Sequence, residues 1–254
     1  MKDFSQLKVF QRIAAGEQVR VMALGSSNTE RFMVGTHWFD YVQIGFTHKF
    51  RRWTQDRQSV DNPALFLNAG ISNHTTAELL QRFDRDVSPF SPDLLILTAG
   101  INDANPSRAV KLQQTKSNLA ELRSRVEQLG GEVIFQTYYS ADIEALQKTS
   151  PGWADNYALY TEAIRLVAGD MLNDNHRRWE RLRKSNVRLY RLLMRDPLHI
   201  NPLGNAVMGL DLMRRLKLEL PDENLPWIRD GLFAQYSMDL LEEKENNEPS
   251  HPQK

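Results

Sequence analysis

The stretch that most limits the possible folds is Leu94-Leu95-Ile96-Leu97-Thr98, introduced by Pro92-Asp93 and ended by Ala99-Gly100. A strand with one wet face alternates apolar and polar residues. This run does not, so it fits a strand covered on both faces, as in a parallel sheet between helical layers. Its surroundings agree. Val19–Leu24, Ala64–Asn68 and Glu132–Thr137 read as further strands, and Val187–Tyr190 as a weaker fifth. Between them lie helical patterns. Leu7, Phe10 and Ile13 form one. Trp38, Phe39, Val42, Phe46 and Phe50 form the face of a second over 35–52. A third spans 75–86. A fourth follows Pro106 with Thr115, Leu119, Leu122, Val126 and Leu129 inward, and Gly130-Gly131 stops it. After a loop over 138–151 comes a helical region over 153–184, broken near Asn173, and a last helix over 202–218. Strands alternating with helices predict a three-layer α/β/α sandwich, with a flavodoxin-like, doubly wound parallel sheet of about five strands. The expected domain covers 1–220. An extension over 221–254 follows, and its acidic end reads as a frayed helix and a disordered tail.

Composition removes several function classes. Lys plus Arg and Asp plus Glu both number 32, so no net field favours nucleic acid or an anionic membrane. The absence of cysteine removes disulfides, thiolate metal sites and a cysteine nucleophile. The first residues lack the apolar core of a signal peptide, and no apolar run is long enough to cross a membrane. The expectation is a cytoplasmic protein with no nucleic-acid partner and no membrane insertion. Oligomeric state is unconstrained.

In a parallel sheet, ligands bind beyond the carboxyl ends of the strands. Three of the predicted strand ends there carry polar residues suited to acyl transfer. The first gives Gly25-Ser26-Ser27-Asn28-Thr29, with Ser27 as candidate nucleophile. The second gives Gly70, whose missing side chain lets a backbone N–H approach a ligand. The third gives Asn102, a neutral side-chain donor. Late in the chain comes Asp196-Pro197-Leu198-His199, where Pro197 favours a turn. His199 is placed to take the Ser27 proton and Asp196 to orient the imidazole.

These blocks resemble the SGNH hydrolase superfamily, the GDSL-type esterases and lipases. The serine block is Gly25–Thr29 and the glycine block Asn68-Ala69-Gly70-Ile71-Ser72. Gly100-Ile101-Asn102-Asp103 is similar to the family's GxND, and Asp196–His199 to its DxxH. The resemblance implies a Ser27–His199–Asp196 triad and an oxyanion hole of the Ser27 and Gly70 N–H groups and the Asn102 side chain. It implies a small ester substrate, no metal and no cofactor. Two positions depart from the pattern. Ser26 stands where the family usually has aspartate, and Asn28 where leucine or isoleucine is common. Asn28 is expected to cap a following helix. Thr29 and the three-residue Asp–His spacing argue against an α/β-hydrolase.

Other residues have plainer readings. Asp103 reads as structural, and His74 as a loop residue near the site. His37 and His48 show no ligand pattern. The basic run His176–Lys184 reads as a solvated helix face. Candidate pocket residues are Asn28, His74, Tyr138 and Tyr139, with Arg31, Phe32, Trp38 and Trp153 as further possible walls. The function expected is hydrolysis of short-chain or acetyl esters through an acyl-enzyme. The alternatives are acyl transfer to an alcohol at the same site, or a catalytically silent binding module; a weaker one is a partner-binding role for the acidic tail.

Overall fold

In a computed structural model of the chain, the described residues are 3–31, 35–50, 52–53, 60–218 and 234–239. The five strands of the main sheet are β1 (Val19–Gly25), β2 (Ala64–Gly70), β3 (Leu94–Thr98), β4 (Glu132–Gln136) and β5 (Leu172–Asn173). All pair in parallel, in the spatial order β2-β1-β3-β4-β5. Short strands Arg52–Trp53 and Val60–Asp61 pair separately as an antiparallel ribbon. The helices are α1 (Lys8–Ala14), α2 (Trp38–Phe50), α3 (Thr76–Gln81), α4 (Phe83–Asp86), α5 (Leu112–Gln128), α6 (Ile143–Thr149), α7 (Pro151–Ala168), α8 (Asn175–Ser185), α9 (Val187–Leu192) and α10 (Pro202–Arg215).

The two-residue period of the strands sorts their side chains into two cores. Val19, Val21 and Ala23 of β1, with Leu94, Ile96 and Ile134, pack against α1, α2, α8, α9 and α10. Met22, Leu24, Leu95, Leu97, Val133 and Phe135 face α3, α4, α5 and α7. Every residue of β3 is therefore buried, as its unbroken apolar run requires. Each aliphatic side chain so covered contributes about 1.5–3 kcal/mol of transfer free energy. The three-layer sandwich expected from the sequence is the fold observed.

Three local readings change. Val187–Tyr190 is helical, because Asn186 caps that segment by accepting the Leu189 N–H at 3.0 Å. The fifth strand is instead Leu172–Asn173, at the break in the long helical region, and it pairs with Phe135 and Gln136. Two residues are too few to show a period. The region read as loop, 138–151, contains α6, capped by the Asp142 carboxylate. Most of 221–254 lies outside the described residues. The helical turn 234–239 places Ala234 and Met238 in the main core, and Asp239 pairs with Arg214 at 3.2 Å.

Helices α2 and α10 meet closely at Gly209. A Cβ there would stand 2.6 Å from the Trp38 carbonyl oxygen and 2.7 Å from Tyr41 Cβ. Gly209→Ala is expected to cost about 1–3 kcal/mol through overpacking. Thermal unfolding should show a midpoint lower by about 2–4 °C for each kcal/mol.

Candidate active site

Strand β1 delivers the serine block. Gly25 is in register with Gly70 of β2 on one side and Thr98 of β3 on the other. A Cβ on Gly25 would meet Thr29 Oγ1 at 2.3 Å and the Thr98 carbonyl oxygen at 2.5 Å. Only glycine fits, and the chain turns at once. The Ser26 carbonyl accepts the N–H groups of Thr29 and Glu30 at 2.8 and 2.9 Å. The expected helix after this turn does not begin there, since α2 starts at Trp38. Asn28 is therefore not a helix cap. Its carbonyl instead accepts His37 Nε2 at 3.0 Å and Trp38 Nε1 at 2.6 Å.

The histidine block is a compact turn. Asp196 Oδ1 accepts the N–H groups of Leu198 and His199 at 2.9 and 2.8 Å. Both Asp196 oxygens lie within reach of His199 Nδ1, at 2.8 and 2.9 Å. Burial would raise the Asp196 carboxyl. The Leu198 N–H, the charge of His199 and the remaining hydrogen bonds outweigh it, so Asp196 stays below its ordinary value. It is ionised near neutrality. His199 Nε2 then stands 3.1 Å from Ser27 Oγ. Three side chains from opposite ends of the chain thus form one connected row, with Ser27 and His199 both partly open to solvent.

The glycine and asparagine blocks close the other side. Gly70 packs against the nucleophile turn so tightly that a Cβ would lie 2.2 Å from the Glu30 nitrogen. Its N–H is already engaged, donating to Asn68 Oδ1 at 2.9 Å, while Asn68 Nδ2 donates to the Thr29 carbonyl at 2.8 Å. Gly70 thus acts as a spacer between two backbones. Asn102 is buried, and Nδ2 donates to the His74 carbonyl at 2.9 Å. A carboxamide has two N–H groups, so one stays available. No acceptor among the described residues takes the Ser27 N–H. Asp103 clamps the two loops together: it accepts the Thr76 N–H at 3.0 Å, the Thr76 hydroxyl, and Thr115 Oγ1 at 3.0 Å. Burial raises its carboxyl above the usual range against these bonds.

The remaining pocket expectations fare differently. Asn28 lines a cleft beside Ser27 and His199, together with Glu30, His37, Arg195, Ile200 and Asn205. Tyr138 and Tyr139 are not walls. Both are buried beneath the turn, where the Tyr138 hydroxyl meets Ser26 Oγ and the Tyr139 hydroxyl reaches Asn28. Burial pushes the Tyr138 phenol up to about 12, offset in part by hydrogen bonds with Ser26, Asn28 and Ser27. His74 contributes its carbonyl to Asn102, and burial lowers its imidazole below the ordinary value. Arg31 pairs with Asp40, and Trp153 Nε1 bonds the Ile101 carbonyl at 2.8 Å. Phe32 lies outside the described residues. Within the basic run, Arg178 is paired with buried Asp211 and Arg183 with Glu180. Among the described residues no group of three His, Asp or Glu side chains converges as a metal site. No helix of the described residues is long and apolar enough to cross a membrane. His37 and Glu30 were not legible as site residues. Their contacts are made by backbone atoms or across loops, and spacing in the sequence carries no trace of them.

The family model for the GDSL-like lipase/acylhydrolase family matches residues 23–207, and the chain belongs to that family. It is an SGNH-type ester hydrolase. Solved structures share the fold. The acetylxylan esterase Axe2 of Geobacillus stearothermophilus is similar at 18% identity and a TM-score of 0.63, over 80% of this chain and 96% of that one. The acetyl xylan esterase AlAXEase is similar at 18% identity and a TM-score of 0.62, over 77% of this chain and 98% of that one. No curated protein matches the chain by sequence.

His37 gives the site a pH-dependent support. Burial drives its imidazole from 6.5 down to about 4, against the hydrogen bond to Asn28. The ring is neutral, donating from Nε2 and accepting the Phe39 N–H on Nδ1 at 3.3 Å. The unfolded chain binds this proton more readily than the folded one. The contribution is therefore complete above pH 6.5 and is lost as pH falls towards 4. The loss amounts to about 3 kcal/mol at most. Urea unfolding across this window should show a steeper decline for wild type than for His37→Gln.

Proposed function

We propose that the chain is a serine esterase acting on acetyl or other short-chain esters, with Ser27 as nucleophile, His199 as general base and Asp196 as its orienting partner. The observation that carries this reading is the 3.1 Å separation of Ser27 Oγ and His199 Nε2, with Nδ1 of the same ring held by Asp196. Asp196 keeps the proton on Nδ1, so Nε2 presents a lone pair to the serine. Ser27 Oγ attacks the ester carbonyl as its proton passes to Nε2. The Ser27 N–H and the second Asn102 N–H stabilise the oxyanion. The intermediate collapses, and the alkoxide leaves with the proton from His199. Water, deprotonated by the same nitrogen, then attacks the acyl-serine and releases the acid.

The cleft supports a small acyl group. Its lining is polar: Ile200 is the single aliphatic side chain among its described lining residues. A buried methylene is stabilised by about 0.8 kcal/mol only against apolar walls. Polar walls give a long acyl chain little of that. The acetyl xylan esterases that share the fold act on acetyl groups carried by a carbohydrate, and we extend that substrate class to this chain.

A series of p-nitrophenyl esters from acetyl to octanoyl, and acetylated xylo-oligosaccharides, tests the reading. Activity should be highest for acetyl and fall with chain length. Ser27→Ala should lower kcat by a factor on the order of 10⁴–10⁶, and equal rates in both proteins would reject the assignment. Asn102→Ala removes one oxyanion donor and should lower kcat about 10²–10³-fold with little change in KM.

A further inference from the structure

Tyr139 projects from just beyond β4 into the space between two loops that never meet in sequence. Its ring is fully buried, with the Trp179 ring 5.1 Å away. Its backbone is anchored independently, since the Tyr157 hydroxyl donates to the Tyr139 carbonyl at 2.5 Å. The hydroxyl oxygen touches three groups. It is 2.8 Å from the Asn28 carboxamide at the Oδ1 position, 2.6 Å from the Leu198 carbonyl oxygen and 2.9 Å from the Ile200 nitrogen. Asn28 directly follows Ser27. Leu198 and Ile200 flank His199.

A phenol has one proton and two lone pairs. The proton satisfies the Leu198 carbonyl, the nearer acceptor, and one lone pair takes the Ile200 N–H. The other lone pair calls for a donor. Asn28 provides one when its amide is turned so that Nδ2 faces the tyrosine. Carboxamide oxygen and nitrogen are told apart by their hydrogen bonds, and this orientation employs Nδ2, a buried group that otherwise lacks a partner.

Resting on the serine-esterase reading, we infer that Tyr139 is a positioning residue: one buried hydroxyl holds the turn bearing Ser27 in register with the loop bearing His199. It fixes the reach of Ser27 Oγ to His199 Nε2 from both sides, across 172 positions of sequence. A second, less direct link runs through Trp38, whose Nε1 donates to the Asn28 carbonyl and whose N–H donates to Asn205 Oδ1 at the start of α10. Of these residues, Tyr139 alone contacts both loops with one atom. Because Asn28 replaces the aliphatic residue common after the family's nucleophile, this tether is a property of this chain's own residues.

The experiment compares Tyr139→Phe with Tyr160→Phe. Tyr160 is a control that also donates to a carbonyl, that of Val110 at 2.7 Å, and lies outside the catalytic row. Both are assayed with p-nitrophenyl acetate, and kcat is expressed per site titrated with a fluorophosphonate, so that unfolded protein is not counted. Small misplacements of reacting groups cost up to about 100-fold in rate. Tyr139→Phe should lower kcat about 10–100-fold with KM within about twofold, while Tyr160→Phe retains the wild-type kcat. A Tyr139→Phe value within twofold of wild type, or an equal fall in both variants, overturns the inference. Should Tyr139→Phe not fold, Asn28→Ala cuts the same tether from the turn side and is judged by the same criteria. Inactive Ser27→Ala beside fully active Tyr139→Phe would reject the tether and leave the esterase intact. Active Ser27→Ala would reject the assignment of Ser27 as nucleophile, and with it the reading on which the tether rests.

Discussion

The arrangement depends on how closely three strand ends approach one another at a single rim of the sheet. Gly25 lies between Gly70 and Thr98 with no room for a side chain, and Gly70 lies against the Thr29–Glu30 backbone with none either. Had either carried a Cβ, the nucleophile turn could not rest on its neighbours. With both glycines in place, the turn is gripped by backbone contacts, by Asn68 and by the indole and imidazole of Trp38 and His37. The rigidity of the turn thus comes from what is absent at two positions as much as from what is present at others.

On this base, charge and hydrogen bonding divide the work. Asp196 is an ionised carboxylate held by two backbone N–H groups of its own turn, which makes it a fixed acceptor for the histidine. Asp103 is also buried but faces hydroxyls and a backbone N–H, with no cation among those partners, and its carboxyl is raised. The two aspartates differ only in surroundings. The first holds the His199 ring, and the second ties the loop carrying His74 to the loop carrying Asn102. A hydroxyl pair, Ser26 and Tyr138, lies buried directly before Ser27. It fills the buried space without the desolvation cost of another charge.

The cleft is polar. Arg195, Glu30 and Asn205 border it, and Arg195 also lies 3.2 Å from Asp196. The buried apolar side chains gather in the two cores on either side of the sheet and in a third cluster that includes Ile101, Tyr138, Tyr157 and Leu198.

What the sequence determined by itself was the layered architecture and the four blocks of the site. An apolar run such as Leu94–Leu97 admits few environments, and residues grouped within a block carry their spacing openly. It also marked Ser27, Asp196 and His199, which the fold brings into one row. It misplaced the fifth strand, because two residues have no period and Val187–Tyr190 has β-branched character that Asn186 overrides. It took Tyr138 and Tyr139 for pocket walls, because burial depth depends on residues far along the chain, and it gave no sign that Asn68 accepts the Gly70 N–H. Those matters were decided only in three dimensions, where a hydroxyl of one strand end meets the turn of another and a side chain two residues away claims a backbone proton.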